Sequence, residues 1–475
     1  MSWLQSLAPI INNLPEVKSP IRAPSLKEKL LWTGAILLLF YILGQIYPLG
    51  VDASRLVRFE RLEILLGSRT GTLITTGIGP IVLASIFLQL AVGSKLINID
   101  LSQQENKKLF QGLQKLLAIG LSIIEGFIYA KSIVVSTDAA TPALYAANMV
   151  LGFATPGQLA IAAQLALGSI MLLYMDEVTQ KYGIGSGISL FIAAGVTQAV
   201  FIGAFSIASE GTAIAGLIPQ AFIEVFGGNV ATAFWAIVPI LFTIGVFLVV
   251  VYAEGMRIEL PLSYGGARGL GARYPIKFLY VSVIPVILAT AVLLNIQVFG
   301  LFLFNAGMPI FGNYQNNQPV DGLAYFTTAL PSPLLIVGGY PAYLAFISNP
   351  REILHIVTYG IALVSLCMVF GWFWIESTGA SAANVAQQLE KTGLQIPGFR
   401  QDTRVTERIL NRYIPVITVL GSLFVGLLAW FADITGALGT GTGILLTVGV
   451  LYRFYEDLAK QQVFELYPAL KRVVQ

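Results

Sequence analysis

The chain has one cysteine, Cys367, and one histidine, His355, in 475 residues. A lone thiol excludes an intramolecular disulfide, and the pair is too few for a His/Cys zinc set. Charge is scarce too: Asp, Glu, Lys and Arg make up 11% of the residues, against about 25% in a typical soluble chain. With 56% hydrophobic residues and a mean hydropathy of +0.77, there is not enough polar surface to face water. Ionisable residues deep in apolar stretches are costly and usually functional, and few occur here. Glu125 reads as a packing or hydrogen-bonding residue. Asp176, Glu177 and Glu376 read as wet positions at stretch ends, and His355 as structural. No H-E-x-x-H and no pair of mid-stretch aspartates is present, which disfavours an intramembrane protease. Gly-rich runs such as "GTGTGILL" lack the G-K-[ST] of a phosphate loop. No catalytic residue, metal ligand or cofactor is expected, and residues 2–29, with Pro9, Pro15, Pro20 and Pro24, do not read as a cleavable leader.

What the chain has is repeated apolar stretches long enough to cross a bilayer. Ten spans fit, near 30–48, 71–94, 111–135, 157–175, 186–208, 230–253, 278–304, 353–375, 413–432 and 436–452. The expected fold is therefore an all-α polytopic membrane protein. Residues 139–156 and 323–350 read as external loops lying on the membrane. With the amino terminus inside, 22 of the 28 Lys and Arg fall on the inner side, so both termini are expected in the cytoplasm. Five spans precede the stretch 209–229 and five follow it. The second block then enters from the opposite side, the arrangement of two inverted halves, 1–208 and 230–475, joined by an external hinge segment.

Three features need a purpose. The inner loops 254–277 and 377–412 are long, basic and broken by Gly and Pro. They are either ordinary positive-inside loops or a platform for a large negative surface such as RNA. The segment "ASRLVRFERLEILLGS" repeats Leu56, Phe59, Leu62 and Leu66 at spacings of three and four, with Arg55, Arg58 and Arg61 on the remaining surface. That pattern is a short amphipathic helix near 55–66, either interfacial or re-entrant. Finally, "TLITTGIGPIVLASIFLQLAVGS" (72–94) carries Gly77, Gly79 and Pro80 near one end of a span. Similar small-residue starts occur in "YGIGSGISLFI" and "GALGTGTGILL". They suit close helix packing or helices that bend and part around an opening.

The stretches "GIGPIVLASIFLQL" (77–90), "DEVTQKYGIGSGISLFIAAG" (176–195), "YGGARG" (264–269), "IPGFR" (396–400) and "GTGILLTVGVLYRFYE" (441–456), in this order, resemble the SecY family in its archaeal form. This family supplies the alpha subunit of the Sec protein translocase, a protein-conducting channel. The resemblance implies an hourglass pore between the halves with a waist of aliphatic side chains, matched here by Ile78, Val82, Ile188, Ile192, Ile287 and Leu446. Residues 55–66, with Arg55, Leu56, Phe59, Leu62 and Leu66, match the plug of the outer funnel. Gly77, Gly79 and Pro80 match the flexible start of a gate helix. An apolar segment in transit would leave sideways into lipid between spans 2 and 3 on one side and 7 and 8 on the other.

By the same resemblance, Arg268 and Arg400 match the loops with which the family docks the ribosome. Implied partners are the SecE (gamma) and beta subunits, the ribosome with its nascent chain, the signal recognition particle pathway, membrane lipids and translocating polypeptides. The location implied is the cell membrane. An inverted-repeat transporter for a small solute is the alternative. It would need a polar site at mid-membrane, where the residues just named are apolar.

Overall fold

The computed structural model describes residues 9, 11, 13–22, 24–51, 67–93, 96–97, 104–132, 155–207, 209–210, 213–214, 216–264, 271–281, 284–315, 318–331, 333, 336, 339–391, 394–395 and 403–466. The expected plug, with Arg55, Leu56, Phe59, Leu62 and Leu66, lies outside them, as do Arg268 and Arg400.

Helix α1 (Leu26–Leu43) starts at a capping box. Glu28 N–H donates to Ser25 Oγ at 3.3 Å, and Ser25 N–H donates to Glu28 Oε2 at 2.8 Å, pairing donors that a first turn leaves open. Then come α2 (Gly79–Gly93), α3 (Gln104–Ser132), α4 (Pro156–Tyr182) and α5 (Gly187–Phe205). Thr155 and Gln158 repeat the capping box at the start of α4. A short hairpin, β1 (Ser209–Glu210) with β2 (Ala213–Ile214), and α6 (Leu217–Phe226) lead into α7 (Val230–Gly255). Strands β3 (Arg257–Tyr264) and β4 (Gly271–Lys277) precede α8 (Ile284–Asn305). Strands β5 (Tyr314–Gln315) and β6 (Gln318–Pro319), α9 (Gly322–Phe326) and α10 (Gly339–Ile347) precede α11 (Pro350–Thr378). The chain continues with α12 (Ala382–Lys391), β7 (Leu394–Gln395), α13 (Thr403–Thr435) and α14 (Gly441–Leu466).

Seven of these helices, α3, α4, α5, α7, α8, α11 and α13, are long and apolar enough to cross a membrane, which makes this a multi-pass membrane protein. The remaining expected spans correspond to α1 with 18 residues, α2 with 15 and α14 with 26. The apolar surface is turned outward, as lipid requires: Phe234, Leu241, Phe247 and Leu248 of α7 are all exposed.

The helices pack as two groups. α1 to α5 contact one another, and α7, α8, α11, α13 and α14 contact one another. The main contacts between the groups run along two seams, α5 against α14 and α2 against α8 and α11.

The structure departs from the expected layout in five places. Residues 72–78 are turns rather than the first third of a span, and the helix begins only at Gly79. The segment 209–229, read only as a connecting stretch, contains the apolar helix α6. The loop 254–277 is largely a β-hairpin, the loop 377–412 contains α12 and β7, and 323–350 contains α10. Helix ends also run past the apolar stretches: α13 starts at Thr403 and α14 ends at Leu466. Their extra turns are charged and leave the hydrocarbon without ceasing to be helical.

Candidate functional site

The turn segment 67–78 is where the site is built. Gly67, Gly71 and Gly77 sit at φ of 51°, 82° and 55°, the left-handed region that a side chain disfavours. Threonines then tie the turns to themselves. Thr72 Oγ1 donates to Arg69 O at 2.7 Å and Thr75 Oγ1 to Thr72 O at 2.5 Å. Such local bonds compete with helix formation. Helix α4 clamps the segment from outside. Ser169 Oγ donates to Gly77 O at 3.0 Å, which leaves Thr76 Oγ1 as the donor in its short bond to Ser169 Oγ. Gly168 lets the backbones touch: a Cβ there would stand 1.8 Å from Leu73 O. Pro80 then falls in the first turn of α2, where its missing N–H costs nothing. "GIGP" therefore ends a tightly held turn and starts a helix.

Ile78 sits at this junction, fully buried, with Val82 one turn further along α2. Ile192 of α5 and Leu446 of α14 are buried in the same apolar cluster, and Ile188 of α5 and Ile287 of α8 pack against it half-buried. All six aliphatic residues named from the sequence therefore belong to one cluster. They come from α2 and its lead-in turn, α5, α8 and α14, the helices that form the two seams.

Beside the second seam lies an open-sided cleft of about 420 Å³, solvent at its mouth included. Gly79 and Leu83 of α2, Glu125 and Tyr129 of α3, and Asn295 and Phe299 of α8 line it. Glu125, expected to pack or to hydrogen-bond, is buried here, and its Oε1 has no hydrogen-bond partner among the described residues.

Two buried carboxylates escaped the sequence reading. Asp176, expected to be wet, is 6% exposed. Its Oδ1 accepts the Ile188 N–H at 3.1 Å and the Ser186 hydroxyl at 3.2 Å, and its Oδ2 accepts Gln180 Nε2–H at 2.8 Å. Asp433, at the end of α13, is 4% exposed. Its Oδ1 accepts the Gly441 N–H at 3.0 Å and its Oδ2 the Tyr359 hydroxyl at 2.9 Å. The available signal was an Asp a short Gly-rich turn before a span. Glu177, also expected to be wet, is half-buried between Lys115 at 2.9 Å and Lys181 at 3.0 Å, whereas Glu376 is exposed as expected.

At the other face the two basic loops form one unit. β3 pairs with β4 from Arg257↔Lys277 to Ser263↔Gly271 and, on its other edge, with β7 through Ser263↔Gln395 and Tyr264↔Leu394. Ile276 of the hairpin enters a core with Val385 and Leu389 of α12 and Leu410 and Ile414 of α13. Lys277 ties the sheet to α14 through Glu456 at 2.6 Å. Arg273 donates to Glu259 at 2.7 Å and holds that carboxyl below its usual range. In sequence Arg268 lies between β3 and β4, and Arg400 between β7 and α13.

A sequence model of the family described as SecY matches residues 72–455. The chain is 44% identical over 468 residues to the protein translocase subunit SecY of Methanococcus vannielii, covering 98% of this chain and 99% of that one. It is 43% identical over 477 residues to the same subunit of Methanocaldococcus jannaschii, covering 99% and 100%. Among solved structures, a protein conducting channel superimposes with a TM-score of 0.80 at 43% identity, over 98% of this chain and 99% of that one. Sec61 in the canine ribosome–channel complex from the endoplasmic reticulum does so with a TM-score of 0.78 at 42% identity, over 98% and 99%.

Proposed function

The chain belongs to the SecY family, and we propose how its residues make the protein-translocation channel of that family work. Its function is passage of unfolded polypeptide across the membrane, with release of apolar segments sideways into lipid. In our reading the two helix groups are inverted halves of five spans each, 1–208 and 230–475. Residues 209–229 form the external hinge between them, and both termini are cytoplasmic. Ile78, Val82, Ile188, Ile192, Ile287 and Leu446 form the waist of the pore. What carries this reading is that all six lie in one apolar cluster and come from the helices of the two seams. A branched aliphatic neck offers an ion no charge and no strong hydrogen bond, so a dehydrated ion meets a barrier. A polypeptide of any sequence meets a pliant collar with no sticky site.

The seam of α2 against α8 and α11 is the sideways exit, and Gly77, Gly79 and Pro80 are the point at which the gate helix hinges on its clamped turn. Sorting there is partitioning: each CH₂ that leaves water gains about 0.8 kcal/mol, so a span-length apolar segment prefers lipid strongly. The segment near 55–66 plugs the outer funnel at rest. The SecE and beta subunits and the signal recognition particle pathway are the further partners.

Crosslinking tests the path. A stalled nascent chain is expected to crosslink to photoreactive groups placed at 82, 192, 287 and 446, and not to one at Leu248 on the exposed face of α7. Contacts at 248 without contacts at the other four would overturn the assignment.

Arg268 lies in sequence between β3 and β4 and Arg400 between β7 and α13, so the sheet of β4, β3 and β7 joins the two basic stretches; a similar chain is solved in a ribosome–channel complex, which supports our reading of these arginines as ribosome contacts. Arg268→Glu and Arg400→Glu are expected to weaken ribosome co-sedimentation, with the largest deficit at low salt, where contacts to RNA phosphates are least screened. Equal binding across the salt series would remove these arginines from the interface.

A further inference from the structure

Ser186 stands at the N-cap of α5 but makes no side-chain bond to its own helix. Its hydroxyl turns instead to Asp176 on α4, and the same carboxylate oxygen takes the Ile188 N–H in the first turn of α5. The approach is close: a Cβ on Gly187 would stand 2.6 Å from Asp176 Cα. At the other end of the molecule Asp433, on α13, takes the N–H of Gly441, the first residue of α14, while Tyr359 of α11 holds its second oxygen. The turn between them is strained, with Gly436 and Gly439 at φ of 67° and 78° and Thr440 at 63°. Thr440 is the only described residue other than glycine with positive φ. Backbone in that region persists only where its surroundings hold it.

The same device thus occurs twice. In each case the carboxylate at the end of one helix caps the next, and the capped helix supplies proposed waist residues, Ile188 and Ile192 on α5 and Leu446 on α14. A buried carboxylate aimed at open N–H groups makes a charge-assisted bond and meets the positive end of the helix dipole.

We propose that Asp176 and Asp433 are paired positioning residues of the channel, one in each helix group. Each fixes the height and rotation of the first turn of a pore helix, and so the place of its side chains in the waist. Neither touches the chain in transit. This rests on the waist reading given above. A seal made of a few side chains fails when one of its helices rotates by a fraction of a turn. A cap at the helix start, tied to the neighbouring helix, prevents that rotation.

The test is the resting ion conductance of full-length channels in planar bilayers, with thermal unfolding measured in parallel. Asp176→Ala and Asp433→Ala are expected to leak about fivefold or more above the parent. Asp176→Asn keeps an acceptor for the Ile188 N–H and is expected to stay sealed. Asp433→Asn keeps a carbonyl oxygen for the Gly441 N–H and can donate its amide N–H to the Tyr359 hydroxyl oxygen, so it too is expected to stay sealed. Asp176→Leu and Asp433→Leu keep the bulk but offer no acceptor, and are expected to leak as the alanine variants do. A leak in these variants at an unfolding temperature near the parent's, with the seal kept by the asparagines, is the readout a merely structural role would not give, and the leucine variants carry the test if the alanine variants do not insert.

Ile188→Ser with Ile192→Ser is the reference arm. If it leaks while both alanine variants and both leucine variants stay sealed, the positioning role is overturned and the waist stands. If the reference arm itself stays sealed, the waist reading falls, and the inference with it.

Discussion

Replacing Ile78, Val82, Ile188 and Ile192 together by serine is expected to turn the resting channel into an ion leak. These residues stand on the two seams, two contributed by α2 and its lead-in turn and two by α5. Ile78 and Ile192 are essentially inaccessible, and Val82 is 8% exposed. The barrier to a small ion there is the cost of shedding water in a neck that returns no hydrogen bond. Four hydroxyls and four smaller side chains reduce it twice over, by widening the neck and by solvating it. About 1.4 kcal/mol off a barrier is a factor of ten in rate, so a rise in conductance of at least about tenfold is expected in reconstituted bilayers. Single leucine replacements at the same positions keep the neck dry and should leave conductance near the parent value. Unchanged conductance in the quadruple variant would show that the ion barrier lies elsewhere.

The second large effect concerns the only histidine. His355 Nε2 lies 2.7 Å from the Thr328 carbonyl. A carbonyl only accepts, so this nitrogen carries a proton. Nδ1 faces Glu352 Oε2 at 3.2 Å, and the other oxygen of Glu352 accepts the Tyr325 hydroxyl. Glu352 and His355 are 6% and 3% exposed. Outside them, Arg351 donates to the Val320 carbonyl at 2.5 Å and lies over the Tyr325 ring at 4.7 Å. Nearby, Asn313 holds the Asp321 carboxyl below its usual range through its backbone N–H and its amide.

The group clamps the segment 320–328 to α11. Glu352→Ala strands both the imidazole and the tyrosine hydroxyl in the interior. Breaking a buried pair this way costs about 3–5 kcal/mol. A clearly lower melting temperature and faster proteolysis within 311–328 are expected, while Glu352→Gln, which keeps an acceptor, should lose less. Identical melting and proteolysis in the alanine variant would mean that the clamp contributes no stability.

Much of this architecture could be read from hydropathy, because apolar runs of span length leave few other folds open. The helix ends could not. α13 begins ten residues before the apolar run from 413 suggested, since charged turns of good helix formers continue a helix beyond the bilayer. Residues 72–78 are as apolar as a span, but threonine hydroxyls bonded to carbonyls three residues back and a left-handed Gly77 take them out of helix. The helix α6 was hidden by the Gly-rich ends of its segment, although Leu217 and Ala221 pack inward while Phe222 and Phe226 stand exposed. The pairing of β3 with β7 joins residues remote in sequence, and nothing local in either strand announces it.

The six residues proposed for the waist are chemically no different from their neighbours in the core. They were singled out by resemblance to a family and not by any property of the side chains. The two carboxylates were read as wet or passed over because sequence gives position along a helix but not what lies across from it.

The three-stranded sheet on the basic-loop face has a mechanical consequence. β3 continues from α7, β4 leads towards α8, and β7 lies on the approach to α13. All three helices are in the same group. A load applied at the tip of either loop therefore reaches them together, as torque on a single lever with its fulcrum at the seams. The opposite group receives that load chiefly through the α5–α14 and α2–α8/α11 contacts and through α6, which packs on both α5 and α7, so gripping the loops works the channel from one side.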